Sequence, residues 1–245
     1  MRIYIGFDDT DTVDSDRGTG KLARWFENEL PESCHLWGVV RQQLLLDPSI
    51  PYTTHNSSAC AIVETSNHCS VDDLISRAVN HLKHHFIPGS DPGLCIASED
   101  NPALSKLVLF GRTYATRVVT QKEAIEAASG IHLSGHGGTN DGIIGAAAAV
   151  GLTVYGWGGR FIEYGRLREF PEKVLVHDLE KAGILVVSVD GDATLPGPED
   201  FVNTEGWLRP RLWGGKPVLP IISKGNSHWE IIGGKRNKRR LEGGE

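Results

Sequence analysis

The chain has 245 residues, 40% of them hydrophobic, and a formal net charge of −6 at neutral pH. That is enough apolar material for one large or two small domains, and the acidic balance excludes a protein that coats nucleic acid by bulk attraction while leaving room for a local basic patch. The 4 cysteines show no C-x-x-C spacing, the chain opens on a strand-like run instead of a signal sequence, and no stretch reaches the length of a membrane span. A soluble cytoplasmic protein with reduced thiols and no membrane partner is expected.

Arg2 to Ile5 is a short apolar run rich in β-branched and aromatic residues, which predicts a buried strand ending where the acids of Phe7-Asp8-Asp9-Thr10-Asp11-Thr12 begin. Carboxylates at Asp8, Asp9 and Asp11 repel one another unless a cation or solvent separates them. Oxygen-only ligation of this kind suits Mg²⁺, which shares its shell with water and substrate phosphates. The alternative is a solvated acidic turn, because Asp and Thr are good turn and cap residues. A helix over Lys21 to Leu30 follows, with Leu22, Trp25, Phe26 and Leu30 toward the sheet, and its approach through Gly18, Thr19, Gly20 and Lys21 presents backbone N–H groups suited to phosphate. Strands are expected over His35 to Leu46, within His55 to Glu64, and over Gly93 to Ala97. A helix capped by Ser70 should run from Val71 to about His85 with Leu74, Ala78 and Leu82 on its apolar face. His81 and His85 have the i, i+4 spacing of a metal pair, but the Glu of H-E-x-x-H is missing, and they read as a solvated face. The order β-α-β-β-α-β over residues 1–99 is the ferredoxin-like plan, so the fold class is α+β.

Past Asp100 the pattern turns helical, over Pro102 to Thr113 and Lys122 to Ser129, the second with Thr120 as cap and Gly130 as stop. The glycine-rich loop Gly135-His136-Gly137-Gly138-Thr139-Asn140-Asp141-Gly142 then runs into an alanine-rich helix around Ala146 to Val150, and it either offers oriented N–H groups to an anion or makes a tight turn before a small-residue packing helix. Leu152 to Trp157 and Ile184 to Val189 read as strands, with a less regular middle between them. The segment beyond Pro196 reads as loops anchored by Trp207, Trp213 and Trp229. Residues 100–232 are therefore expected as an α/β domain carrying the glycine-rich loop. Residues 233–245 are expected as a flexible basic tail, in which Lys235 to Arg240 would meet an RNA backbone.

Ile5 to Thr12 together with Gly142 to Gly151 resembles the archaeal isoleucine-tRNA agmatinylcytidine synthetase family, and Pro48 to Thr54 and Pro217 to Leu219 resemble further pieces of it. That family joins agmatine to an anticodon cytidine using ATP, through a kinase-like domain of unusual fold. The resemblance implies that Asp8, Asp9 and Asp11 hold Mg²⁺, that Thr19 matches a threonine the family phosphorylates on itself, and that the Gly142 loop touches ATP phosphates. It covers the family's kinase-like and ferredoxin-like portion, without the oligonucleotide-binding barrel and zinc ribbon that seize tRNA. The chain departs from the family in Gly-Thr-Gly around Thr19, in Asp141 where an Arg is usual, and in His55 where a basic residue is usual. The expected activity is ATP- and Mg²⁺-dependent phosphoryl or nucleotidyl transfer by a ligase or kinase-like transferase acting on a nucleotide, tRNA or another RNA. A non-catalytic nucleotide- or RNA-binding relative is the first alternative. A metal-dependent phosphohydrolase is the second, since Asp9 to Val13 fits D-x-D-x-[TV] with Asp9 as nucleophile and Asp11 as acid.

Overall fold

The computed structural model describes residues 1–50, 55–66 and 69–233. The chain divides into two compact units, Met1–Tyr164 and Gly165–Glu245. The first opens with β1 (Arg2–Asp8), α1 (Thr19–Trp25) prolonged by a 3-10 turn over Phe26–Glu29, β2 (Cys34–Gln43), β3 (Ser57–Thr65), α2 (Val71–His85) and β4 (Gly93–Ser98). In space these strands lie in the order β4-β1-β3-β2, with β5 (His132–Gly135) added beside β4 and β6 (Trp157–Glu163) beside β2. Every neighbouring pair in this sheet is antiparallel.

Period-2 alternation along β1 sends its residues to opposite faces of the sheet. Ile3, Ile5 and Phe7 are fully buried and pack with Leu22, Ala23 and Phe26 of α1 and Leu74, Ala78 and Leu82 of α2. Tyr4, Gly6 and Asp8 face the other way, toward α5 (Gly142–Tyr155), which α3 (Leu104–Tyr114) and α4 (Gln121–Ala127) cover from outside. The result is helix layers on both faces of one mostly antiparallel sheet. The expected boundary at residue 99 is corrected accordingly: α3 and α5 pack on the opposite face of the N-terminal sheet, and the division falls after Tyr164.

The central helix α5 is held by proximity more than by bulk. Ala146, Ala147, Ala148 and Ala149 are fully buried, yet each offers one methyl, worth roughly 0.8 kcal/mol against 1.5–3 for a large apolar side chain. Its glycines supply the rest. A Cβ on Gly6 or Gly93 would fall on the backbone carbonyls of Ala146 or Gly142, and one on Gly151 would fall on that of Leu107. Backbones therefore meet at three places, and dispersion replaces side-chain volume. Of the strand expected over Leu152 to Trp157, Leu152 to Tyr155 are instead the last turn of this helix, and Trp157 opens β6. Thr153 and Val154 are β-branched, but Leu152 and Thr153 are buried, and the Thr153 hydroxyl accepts a hydrogen bond from Gln42 Nε2 at 3.1 Å; tertiary packing overrides local propensity. Gly156, with φ 76°, stops the helix. In α4 the expected Thr120 cap forms a full capping box with Glu123.

The second unit contains β7 (Lys173–Leu175), α6 (Val176–Lys181), β8 (Leu185–Ser188), β9 (Phe201–Asn203), β10 (Arg211–Trp213), β11 (Lys216–Gly225) and β12 (His228–Ile231). Its strands run β10-β11-β12-β9-β7, with β8 parallel to β11. The loop-rich reading beyond Pro196 is thus corrected to strands, two of them only three residues long and a longer one containing Pro217 and Pro220, which hid them from pattern reading. Trp229 does anchor this unit, buried to 3% exposure and donating to Asp200 Oδ2 at 2.8 Å. All four cysteines are free thiols, and among the described residues no helix is long and apolar enough to cross a membrane. The basic run Lys235 to Arg240 and the Pro51 to Thr54 part of the proline-containing segment lie outside the described residues.

The close helix contact makes a direct prediction. Gly151→Ala should destabilise the protein by about 1–3 kcal/mol through overpacking against Leu107, whereas Gly191→Ala, which meets nothing within 4 Å, should stay within about 0.5 kcal/mol of wild type. Urea denaturation of the two variants checks it.

Candidate functional site

The acids lie where β1 leaves the sheet. Asp8, its last residue, is half-buried and points at Gly145 of α5, where a Cβ would fall on its carboxylate. Burial pushes the Asp8 carboxyl well above the usual carboxylate range, and repulsion from Asp9 and Asp11 adds to this, against a backbone hydrogen bond from Asp9 that lowers it. Asp9 adopts φ 47°, a left-handed conformation that Asp tolerates better than most residues. Its carboxyl is pushed up to about 6, first by burial and then by Asp91, Asp11 and Asp141. Asp11 turns back toward α1. Its Oδ1 accepts from the Thr19 amide and from the Thr19 hydroxyl, both at 3.2 Å. Thr19, only 7% exposed, accepts in turn from the Thr10 hydroxyl at 3.1 Å and the Thr10 amide at 3.3 Å. Gly18 lies against Asp11, at a distance where even a Cβ would make only ordinary contact with the carboxylate. Gly20 packs against Ile162, and the Lys21 ammonium rests 5.0 Å from the centre of the Trp25 ring, on the surface of α1.

The glycine-rich loop comes to the same corner, bound to a partner that the sequence did not reveal. Asp91, just before β4, accepts from the amides of Thr139 at 3.0 Å, Asn140 at 2.8 Å and Asp141 at 3.0 Å, and from the Thr139 hydroxyl at 2.6 Å. These are the oriented N–H groups that the loop was expected to offer to an external anion; here they converge on a carboxylate of the same chain. Left-handed φ values at Gly138 (53°) and Asn140 (68°) fold the loop around it. Gly135 leaves space for the Asn140 side chain, and Gly142 and Gly137 lie against Asp91-Pro92 and Ser90. His136 donates its amide to the Pro92 carbonyl at 2.8 Å and its Nε2 pairs with Ser134 Oγ at 2.8 Å. Burial, with Lys83 and His132 nearby, lowers the pKa of the His136 ring below its usual range.

Two further residues escaped the sequence reading. Arg41 on β2 stands directly opposite Arg160 on β6. Burial and Arg160 hold the Arg41 guanidinium below its usual pKa, while Asp11 acts in the opposite sense, so Arg41 lies within electrostatic reach of Asp11. No local sequence signal links Arg41, Arg160 and Asp91 to acids so distant along the chain. The structure thus brings Asp8, Asp9, Asp11, Asp91 and Asp141 together, with Thr19 on one side and the loop on the other. These are oxygen donors only, the ligand chemistry that a hard divalent cation takes, and among the described residues no three of these acids bring one ligand atom each to within 4.8 Å of one another. The phosphohydrolase alternative loses its frame, because β1 is flanked by two antiparallel strands, β3 and β4, where that chemistry needs a parallel doubly wound sheet.

No protein-family model matches the sequence and no curated protein does. Among solved structures, a tRNA fluorescent labeling enzyme is similar at 27% identity and TM-score 0.53, over 62% of this chain and 36% of that one. The complex of TiaS, a tRNA agmatidine synthetase, with its isoleucine tRNA and ATP is similar at 26% identity and TM-score 0.53 over 62% of this chain and 36% of its own. The complex of TiaS with the same tRNA, AMPCPP and agmatine is similar at 25% identity and TM-score 0.52 over 74% and 44%. The chain therefore spans less than half the length of these enzymes, and its fold is TiaS-like over most of its own length.

The carboxyls make stability depend on pH in a defined sense. Asp9 has a folded value of about 6 against an ordinary 3.8, so between those values the folded state binds more protons than the unfolded one, and its stability falls as pH rises through the window. In metal-free protein, Asp9→Asn should gain on wild type by about 1 kcal/mol from about pH 4 to about pH 7, a figure reduced for solvent screening of a half-exposed group. Urea midpoints of both proteins across that range read the difference; a difference that stays constant with pH contradicts the electrostatics described.

Proposed function

We propose that this chain is an ATP-dependent enzyme of RNA modification, related to TiaS, which carries out phosphoryl or nucleotidyl transfer with Mg²⁺ at the β1 acids. The carrying observation is the convergence of two distant segments: Asp9 is perturbed by Asp91 and Asp141, and Asp8 packs on Gly145. The similarity to structures whose descriptions name ATP, AMPCPP and an isoleucine tRNA supports the same reading. The β1-α1-β2-β3-α2-β4 order with strands β4-β1-β3-β2 corresponds to a ferredoxin-like unit in this proposal, and the cytoplasm, where ATP and Mg²⁺ are present, is its place of action.

Asp8, Asp9 and Asp11 would hold Mg²⁺, which neutralises charge on the phosphates when bound. Asp11 orients the Thr19 hydroxyl through a 3.2 Å hydrogen bond and is placed to take its proton. In a phosphoryl transfer to Thr19, its oxygen would bond the γ-phosphorus as the bond to the ADP oxygen breaks. Arg41 and Arg160 would draw the polyphosphate toward the acids, and the loop from Gly135 through Gly142 would border it. A second reading, a nucleotide- or RNA-binding protein without catalysis, is favoured by one observation: three of the loop's amides are already bound to Asp91. The acceptor RNA would be met in part by the Lys235 to Arg240 run, whose contribution should weaken with salt.

Calorimetric titration with ATP and Mg²⁺ tests the site. Asp8→Asn and Asp11→Asn should each weaken binding at least about tenfold, near 1.4 kcal/mol, and unchanged affinity in both would remove the metal assignment. Labelled γ-phosphate separates the two readings: transfer to wild type and loss of label in Thr19→Val support an enzyme, while ATP bound without turnover supports the binder.

A further inference from the structure

The α1 and α2 layer carries a cluster that the acidic site does not use. Glu29, at the end of the 3-10 turn after α1, and His81 and His85 on α2 bring one potential ligand atom each to within 4.8 Å of one another. The i, i+4 spacing of the two histidines puts both on one face of α2. The solvated-face reading of His81 is corrected here, for it is 2% exposed. Phe7 and Phe26 set their rings against it at centroid distances of 6.3 and 5.4 Å, forming a dry wall.

The orientation of His81 is the informative feature. Its Nε2 lies 2.9 Å from the Leu22 carbonyl, which can only accept, so Nε2 carries the proton and Nδ1 presents its lone pair. That Nδ1 is buried and has no hydrogen-bond partner. A buried acceptor without a partner costs about 1–3 kcal/mol, and this one points toward Glu29 Oε1, 3.8 Å away. The His85 ring lies tilted beside the His81 ring at a centroid distance of 4.6 Å, and Trp25 is 5.5 Å from His85. Arg77 binds the Glu29 backbone carbonyl at 3.1 Å and pairs its side chain with Asp73, so it leaves the Glu29 carboxylate open. A histidine whose other nitrogen is fixed by a backbone carbonyl is oriented as metal-ligating histidines usually are.

We infer that Glu29, His81 through Nδ1, and His85 form a binding site for a first-row transition-metal dication of the Zn²⁺ type, with water completing the shell. Nitrogen-rich ligation separates it from the oxygen-only acidic site, which suits Mg²⁺. Ligand atoms around Zn²⁺ stand roughly 3.4 Å apart for bonds near 2.1 Å, so the cluster, whose His81 Nδ1 and Glu29 Oε1 are already 3.8 Å apart, has to contract by at most about 1.4 Å, a movement that falls to the half-exposed Glu29 and His85 side chains. The bound ion would clamp the end of α1 to α2, and through α1 it would steady Thr19.

Zinc titration of the full chain by calorimetry, with Co²⁺ absorption as a report on coordination, tests the site. Wild type should bind one equivalent of Zn²⁺ that excess Mg²⁺ does not displace, and should gain thermal stability with it. Glu29→Gln and His85→Gln, both at half-exposed positions that keep the fold intact, should each weaken Zn²⁺ binding about tenfold or more, and the double variant should abolish the thermal shift. Circular dichroism and metal-free urea midpoints confirm that these variants fold. His84→Gln, whose exposed ring is bound to the Asn80 carbonyl, and Asp11→Asn should both retain binding. Absence of Zn²⁺ binding in wild type, wild-type binding in the double variant, or loss of binding in Asp11→Asn would each overturn the assignment.

Discussion

The closeness of α5 to the sheet is the constraint on which the rest of this unit depends. Gly6, Gly93, Gly142, Gly145 and Gly151 each leave out a Cβ that would collide with a carbonyl or with the Asp8 carboxylate. Without them the helix would stand off by the width of a methyl group, and Asp8 would end its strand in water. With them, a helix closes on the end of β1, and a carboxyl that is ordinarily ionised is held well above its usual range by burial and by its acidic neighbours. Packing geometry thus sets the electrostatic character of the site.

That character is one of crowded negative charge. Five aspartates drawn from three segments meet at one corner, and Arg41 of β2, opposite Arg160 of β6, lies within reach of Asp11. Asp91 plays a different part from the others, because four hydrogen bonds from Thr139, Asn140 and Asp141 hold it in a nest of loop donors. The loop is therefore shaped to surround an anion, and in this conformation the anion is the chain's own. Among the described residues Asp8 and Asp9 have no comparable cradle, and burial raises their carboxyls.

Part of this was legible in the sequence. The short apolar run Arg2 to Ile5 announced β1 as a buried strand, and α2 runs over the expected Val71–His85 because Leu74, Ala78 and Leu82 repeat at helical spacing. The acids after β1 and the glycine loop before α5 were also visible as local patterns. What escaped was decided by tertiary contact. Leu152 to Tyr155 suggested a strand until the burial of Leu152 and Thr153 and the hydrogen bond from Gln42 to Thr153 kept them helical, and β5 and β6 show too little apolar alternation to be read. Asp91 carries no local mark of its role. His81 looked like its neighbour His84, and only the rings of Phe7 and Phe26 distinguish the buried histidine from the exposed one.

The central claim is that the β1 acids and the loop before α5 form one site for ATP and a divalent cation. Its most direct test is anomalous scattering from Mn²⁺ in crystals grown with a nonhydrolysable ATP analogue. The account predicts a Mn²⁺ peak among Asp8, Asp9 and Asp11, with the analogue's phosphates lying between that ion and the Gly135 to Gly142 loop. Phosphates bound elsewhere, or a Mn²⁺ ion that leaves the three aspartates without a metal, would contradict it.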